Sequence, residues 1–261
     1  MTRINYLMWP GRLLILCGLF LIEVLLAKEN FRYEVLDTLP HDTTSFTQGL
    51  ELFDRLIYES SGLYGKSRVR KYHPGNDTTL TEVPLADEYF AEGLTILNDE
   101  LFLLTWKAGK LFVLNPDDLS TERELSYEGE GWGLANNGKH LIMSDGSDTI
   151  YFRNPATFEI EREIKVYSQQ HSVRRINELE YAQGYIWANI WFSSLIVKID
   201  PGTGELVGFY DMQDLVKKHA TSNNRVLNGI AYDAEKQAFW ITGKLWSTRY
   251  LVRFGDAQKV K

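Results

Sequence analysis

Residues 90–94 read Phe90–Ala91–Glu92–Gly93–Leu94, and their frame, a variable residue followed by Gly-Leu or a near relative, returns along the chain. The other copies are Gln48–Gly49–Leu50, Trp132–Gly133–Leu134, Asn177–Glu178–Leu179 and Asn228–Gly229–Ile230. They recur about every 45 residues, the spacing of β-propeller blades. Each copy opens a strand-like run and is followed, across a turn, by a second: Leu56–Ser60, Leu101–Trp106, Leu141–Ser144, Tyr185–Trp191 and Ala238–Thr242. Clusters such as Asn136–Asn137–Gly138 and Asp200–Pro201–Gly202 punctuate these runs as turns do. Third runs follow in every unit, and fourth runs in all but the last, where the chain ends soon after Phe254.

An unassigned run at the other end, Tyr33–Leu39, matches the fourth strands in composition. Pairing it with the last unit would remove two exposed sheet edges at once. The expectation is therefore an all-β, five-bladed β-propeller of four-stranded blades over residues 31–256, closed by an N-terminal strand. Only Met212–His219 reads as a helix, and a short one. A solenoid would need capping units, and none is visible.

The first residues differ from all that follows. Arg3 and Arg12 precede an uncharged run from Leu13 to Ile22, the layout of a secretory signal. A signal peptide over residues 1–27 is expected, with cleavage after Ala27 and a periplasmic or secreted product; the alternative is an uncleaved N-terminal membrane anchor. The single cysteine, Cys17, falls inside this segment, so the exported part holds no thiol for a disulfide, a nucleophile or a metal. A formal charge of −7 argues against nucleic acid as a partner. The basic run Lys66–Lys71 reads as a strand with one solvated face.

In a propeller the innermost strand of each blade lines the axis, and the variable residue opens that strand. The five are Gln48, Glu92, Trp132, Asn177 and Asn228: common geometry with varied chemistry, which favours a ligand site over a repeated structural role. A carboxylate in a partly dry channel costs free energy unless it has a partner or a purpose, which singles out Glu92. The ends of the second strands add Trp106, Trp191 and Lys244; with Trp132 the indoles suit an apolar pocket wall, whereas Lys244 reads equally well as a surface lysine. The 5 His are scattered without metal spacing, and Asp145–Gly146 with Asp148 is a turn before it is a calcium site. No metal and no cofactor are expected, and a monomer is.

Taken together, Phe46–Thr47–Gln48–Gly49–Leu50, Phe90–Ala91–Glu92–Gly93–Leu94, Leu104–Thr105–Trp106–Lys107, Gly131–Trp132–Gly133–Leu134, Ile176–Asn177–Glu178–Leu179–Glu180, Ile186–Trp187–Ala188–Asn189–Ile190–Trp191 and Leu227–Asn228–Gly229–Ile230–Ala231 resemble the plant-type glutaminyl-peptide cyclotransferases, which also occur in bacteria. The resemblance spans about residues 31–255. It implies conversion of N-terminal glutamine of peptides to pyroglutamate with loss of ammonia, on a five-bladed propeller. It also implies Glu92, Gln48, Asn177 and Lys244 as catalytic positions, and Phe46, Trp106, Trp132 and Trp191 as substrate-binding positions. Ala91 stands where a bulkier neighbour of the glutamate is expected, so pocket width is open. Two other readings remain. One is a lactonase-like propeller with Glu92, Asn177 and Asn228 around a metal; the other is a propeller that binds peptides without catalysis.

Overall fold

The computed structural model describes residues 30–219, 222 and 224–255. The expected leader, 1–27, lies outside them. Five sheets stand around a common axis. Their innermost strands are Thr47–Phe53, Ala91–Leu97, Leu134–Asn136, Ile176–Ala182 and Leu227–Asp233. Each touches the next, and the last returns to the first, so the inner strands close a ring.

Within each blade the strands run outward in sequence order and antiparallel; in the first they are Thr47–Phe53, Leu56–Ser61, Arg68–Tyr72 and Thr79–Pro84. The fifth blade takes its outer strand from the other end of the chain: Tyr33–Pro40 lies antiparallel to Thr248–Phe254, with Thr38 opposite Tyr250. Two features were not anticipated. Asn30–Phe31 adds a short parallel strand outside the fourth blade, and Tyr167–Ser168 pairs with His171–Ser172 in a small hairpin. The helix forms at Gln213–His219.

The apolar core is divided into five, one cluster for each seam between blades. Leu94, Leu101 and Leu103 pack on Tyr58 and Val69 between the first two blades. Ile230, Phe239 and Ile241 pack on Trp187 and Tyr210 between the last two. Both faces of the middle strands are therefore covered, and the hub is left free for polar side chains.

The repeated glycine is explained at this hub, where neighbouring backbones meet. A Cβ on Gly93 would lie 2.3 Å from the amide nitrogen of Leu134 in the next blade, and one on Gly133 would lie 2.0 Å from the carbonyl oxygen of Asn177. No side chain fits between main chains that close.

The basic run is a correction. Arg68–Tyr72 is the third strand of its blade, but Arg70 and Lys71 are buried, at 2% and 8% exposure. Arg70 pairs with Glu59 (2.8 Å) and Asp77 (3.1 Å), while Lys71 Nζ donates to the carbonyls of Pro116 (2.9 Å) and Asp117. The expected solvated face is absent because a blade's third strand has neighbours on both sides.

Candidate active site

The variable residues sit on backbone irregularities. In four blades the inner strand's register shifts at the motif: between Thr47 and Gly49, Ala91 and Leu94, Ile176 and Leu179, and Leu227 and Ile230. Such bulges re-aim a side chain out of the regular alternation. Here they accompany Gln48, Glu92, Asn177 and Asn228, all buried at the hub.

Hydrogen bonds then stitch each bulge to the next blade. Ser60 Oγ donates to the Glu92 carbonyl, Gly93 N–H to the Trp132 carbonyl (2.7 Å) and Ser144 Oγ to the Asn177 carbonyl (2.7 Å). Gly229 N–H donates to Asn189 Oδ1 (2.9 Å), and Asn228 Nδ2 to the Thr47 carbonyl (2.9 Å), which completes the circle.

A second set of residues stands just beyond the end of each second strand. Trp106 N–H donates to the Phe90 carbonyl (3.0 Å), Trp191 N–H to Arg175 (2.9 Å) and Lys244 N–H to Val226 (2.9 Å). Gly62 N–H makes the equivalent bond to Phe46 (2.9 Å). Each acceptor lies two residues before the variable position, so one backbone device presents two indoles, an ammonium and, at Gly62, no side chain at all. At Gly62 a Cβ would lie 2.2 Å from the Phe90 ring, so the side chain missing there leaves room for an aromatic wall.

These residues surround a cavity of ≈ 250 Å³ lined by Phe46, Gln48, Phe90, Glu92, Trp106, Trp132, Asn177, Trp191, Phe192, Asn224, Val226 and Lys244. All eight sequence-predicted site residues are brought together there. Trp132 and Trp191 meet edge to face at 5.3 Å between ring centres, as do Phe90 and Trp106 at 5.6 Å. Phe90, Phe192, Asn224 and Val226 were not anticipated. Phe90 heads a quoted motif and Phe192 follows one, so both could have been inferred; Asn224 and Val226 lie in the connection before the fifth blade, which carries no repeat signal.

The polar floor is a directed chain. Asn177 Nδ2 donates to Asn228 Oδ1 (2.8 Å), Asn228 Nδ2 approaches Gln48 Oε1 (3.4 Å), and Gln48 Nε2 donates to Glu92 Oε1 (2.9 Å). Burial pushes the Glu92 carboxyl well above the ordinary carboxylate range; Lys244 draws it back down and Glu130 adds to the rise. Lys244 is itself buried, with 5% exposure, and its ammonium stands 4.7 Å from the centre of the Phe46 ring. Burial lowers its pKa to about 8, against the pull of Glu92. The surface-lysine alternative is thereby overturned.

The metal reading would draw its oxygens from Glu92, Asn177 and Asn228. The Asn228 oxygen it requires already accepts from Asn177. Among the described residues, no group of three or more His, Cys, Asp or Glu side chains is arranged to hold a metal ion. Asp145 serves its turn, accepting from Ser147 N–H (2.9 Å) and from the Tyr151 hydroxyl (3.1 Å).

Known proteins resemble this chain in sequence and in fold. A glutaminyl-peptide cyclotransferase of Arabidopsis thaliana is 38% identical over 229 residues, covering 86% of this chain and 72% of its own. The crystal structure of Myxococcus xanthus glutaminyl cyclase superposes with a TM-score of 0.81 at 34% identity, covering 87% of this chain and 98% of that one. The WD40 propeller domain of Doa1, at 10% identity and a TM-score of 0.50, shares the fold alone. The family model for glutamine cyclotransferase matches residues 19–254. The chain belongs to the glutamine cyclotransferase family.

Proposed function

We propose that this protein converts the N-terminal glutamine of peptides to pyroglutamate with release of ammonia, and that Glu92 carries the proton. The observation behind this reading is a single buried carboxyl, biased toward its protonated form, on the floor of an indole-walled cavity. Such an environment lifts a carboxyl's pKa out of the ordinary carboxylate range, the direction that suits a group asked both to take and to return a proton.

The reaction is already intramolecular. Its α-nitrogen forms a bond to the side-chain amide carbon, the carbon–NH₂ bond breaks, and one hydrogen passes from the attacking nitrogen to the departing one. The lactam keeps the other hydrogen, and ammonia leaves with three; no water is consumed. Ionised Glu92 accepts the proton from the attacking amine and then delivers it to the leaving group. Holding the folded rotamer supplies the proximity term, and the indoles with Phe46 exclude solvent around it.

Gln48 fixes the carboxyl through its amide N–H, its own carbonyl being oriented by Asn228. Asn177 spends an amide hydrogen on Asn228, which leaves its carbonyl oxygen to accept from the substrate amine. Lys244, a buried cation in the same cavity, is the group suited to the negative charge that develops on the amide oxygen. The leader-like segment extends the reading to a protein exported to the periplasm or beyond.

The test is mass spectrometry of a Gln-initiated peptide incubated with the purified protein, alongside an ammonia assay. Loss of one ammonia per peptide is expected. An unchanged peptide mass, or a Glu92→Gln variant that turns over at the wild-type rate, overturns the proposal.

A further inference from the structure

Two of the three indoles that wall the cavity share a partner outside it. Trp106 Nε1 donates to Glu130 Oε2 at 2.8 Å, and Trp132 Nε1 donates to the same oxygen at 3.0 Å. The other carboxylate oxygen faces Lys107 Nζ at 3.5 Å, and that ammonium in turn lies 4.0 Å from the centre of the Trp106 ring. Burial works to raise the Glu130 pKa, but the two indole donors and Lys107 outweigh it and hold the carboxyl below its ordinary range.

The loop carrying Glu130 is itself fixed. Gly131 N–H donates to the Trp106 carbonyl (3.0 Å), and a Cβ on Gly131 would lie 2.3 Å from the Tyr127 hydroxyl. A side chain anchored at both ends, with an ionised head, is a rigid brace for what it holds.

We infer that Glu130 is a positioning residue that sets the width of the substrate slot by clamping Trp106 and Trp132 through one carboxylate oxygen. The inference rests on the function proposed above, and it identifies a determinant of substrate fit that lies outside the cavity lining. An indole ring pivots about two side-chain torsions, and its N–H seeks a partner when partly buried. With both N–H groups tied to one acceptor, the two rings keep a fixed mutual angle, and the glutamine side chain meets a preformed wall. Without the acceptor the rings reorient, and binding rather than chemistry suffers first.

Three substitutions separate reach from charge. Glu130→Gln keeps one carbonyl oxygen in place, which is all that the two donors use. Glu130→Asp keeps the charge but withdraws the oxygen by one methylene, and Glu130→Ala removes both. With a Gln-initiated dipeptide, KM is expected to rise about tenfold in the Ala and Asp variants while kcat changes less than about threefold; in the Gln variant KM stays within about threefold of wild type.

A readout free of activity accompanies these. In ¹⁵N-tryptophan-labelled protein without substrate, the two carboxylate-bound indole N–H signals should lie downfield and move upfield together in the Ala and Asp variants. Wild-type KM in the Asp variant, or a Gln variant as impaired as Ala, would assign the effect to charge and overturn the clamp. Unmoved indole signals would overturn it too, as would a loss confined to kcat. If the wild-type protein makes no pyroglutamate, the functional reading fails on its own, and the indole signals still decide whether Glu130 braces the rings. Should the Ala variant not fold, the Asp and Gln pair carries the test.

Discussion

Two glutamates buried in this molecule have opposite fates. Glu59, on the second strand of the first blade, is 0% exposed; Glu92, at the start of the second blade, is 5% exposed. Burial raises the pKa of both. For Glu59 the rise is overwhelmed, because His41 (3.0 Å) and Thr47 (2.6 Å) hold one oxygen while Arg70 (2.8 Å) and Tyr72 (3.0 Å) hold the other. Its pKa falls well below the ordinary value, with His41 and Arg70 the chief causes of the fall. Glu92 takes one amide hydrogen bond from Gln48, and the pull of Lys244 does not offset its burial, so its pKa stays well above. Depth is nearly the same; partners decide. A fully partnered carboxylate is locked in one charge state and can only be structural, whereas a sparsely partnered one can exchange a proton.

The sharpest way to break this contrast is to neutralise each residue and read activity and stability separately. Glu92→Gln substitutes a neutral amide for a group that is already biased toward neutrality. Turnover should fall by about 10²–10⁴-fold while the thermal midpoint barely moves. A variant that kept its activity, or lost its fold, would end the comparison. Glu59→Ala should do the reverse. It strands Arg70 and His41 in the interior and is expected to cost about 3–5 kcal/mol in chemical denaturation, with whatever folded protein remains still turning over substrate.

How far this was legible beforehand depended on how local the signal was. The Gly-Leu frame carried the fold, because close approach of neighbouring inner strands leaves no room for a Cβ at Gly93 and Gly133, so the repeat is a steric requirement written into sequence. The eight predicted site residues lay inside that frame or at its strand ends, and the ring brought all of them to one cavity. Glu130 was not legible: Trp132 stands close by in sequence, but nothing there shows that Trp106, from the strand before, points at the same oxygen. The Lys66–Lys71 strand was misread for a related reason. Alternating charge signals a wet face only where a sheet has one, and the acids that admit Arg70 to the interior, Glu59 and Asp77, do not adjoin it in sequence. Asn177–Glu178–Leu179 departs from the frame because Glu178 replaces the glycine, and its Oε1 accepts from Leu50 N–H across the hub at 3.3 Å.

Steric crowding at the hub gives a smaller expected effect. Gly133→Ala places a methyl against the Asn177 carbonyl, which must move and take the Asn177–Asn228 bond with it. Overpacking of this kind costs about 1–3 kcal/mol, and because the displaced residue faces the cavity, KM for a Gln-initiated peptide should rise with it. A destabilised variant with unchanged KM would show that the hub backbone and the site are independent.

The finest distinction concerns a third carboxyl, Glu51, which lies near the axis on the first blade's inner strand and accepts from Thr95 Oγ1 at 2.8 Å. Burial raises its pKa from 4.5 to about 7, with the Thr95 bond opposing. A carboxyl whose folded pKa exceeds its unfolded one binds more protons when folded, so its stabilising contribution is complete below about pH 4.5 and is lost as pH climbs through about 7. Between those limits a single such group imposes a slope of at most about 1.4 kcal/mol per pH unit. Glu51→Gln, which cannot ionise, should lose that slope. Thermal midpoints of the two proteins should therefore converge toward pH 5 and separate toward pH 8, with the variant the more stable at the alkaline end. Parallel curves would mean that Glu51 is ionised throughout, held like Glu59 by partners. Glu51 would then leave the class of buried carboxyls with raised pKa, in which Glu92, Glu178 and Glu180 remain and of which Glu92 lines the cavity.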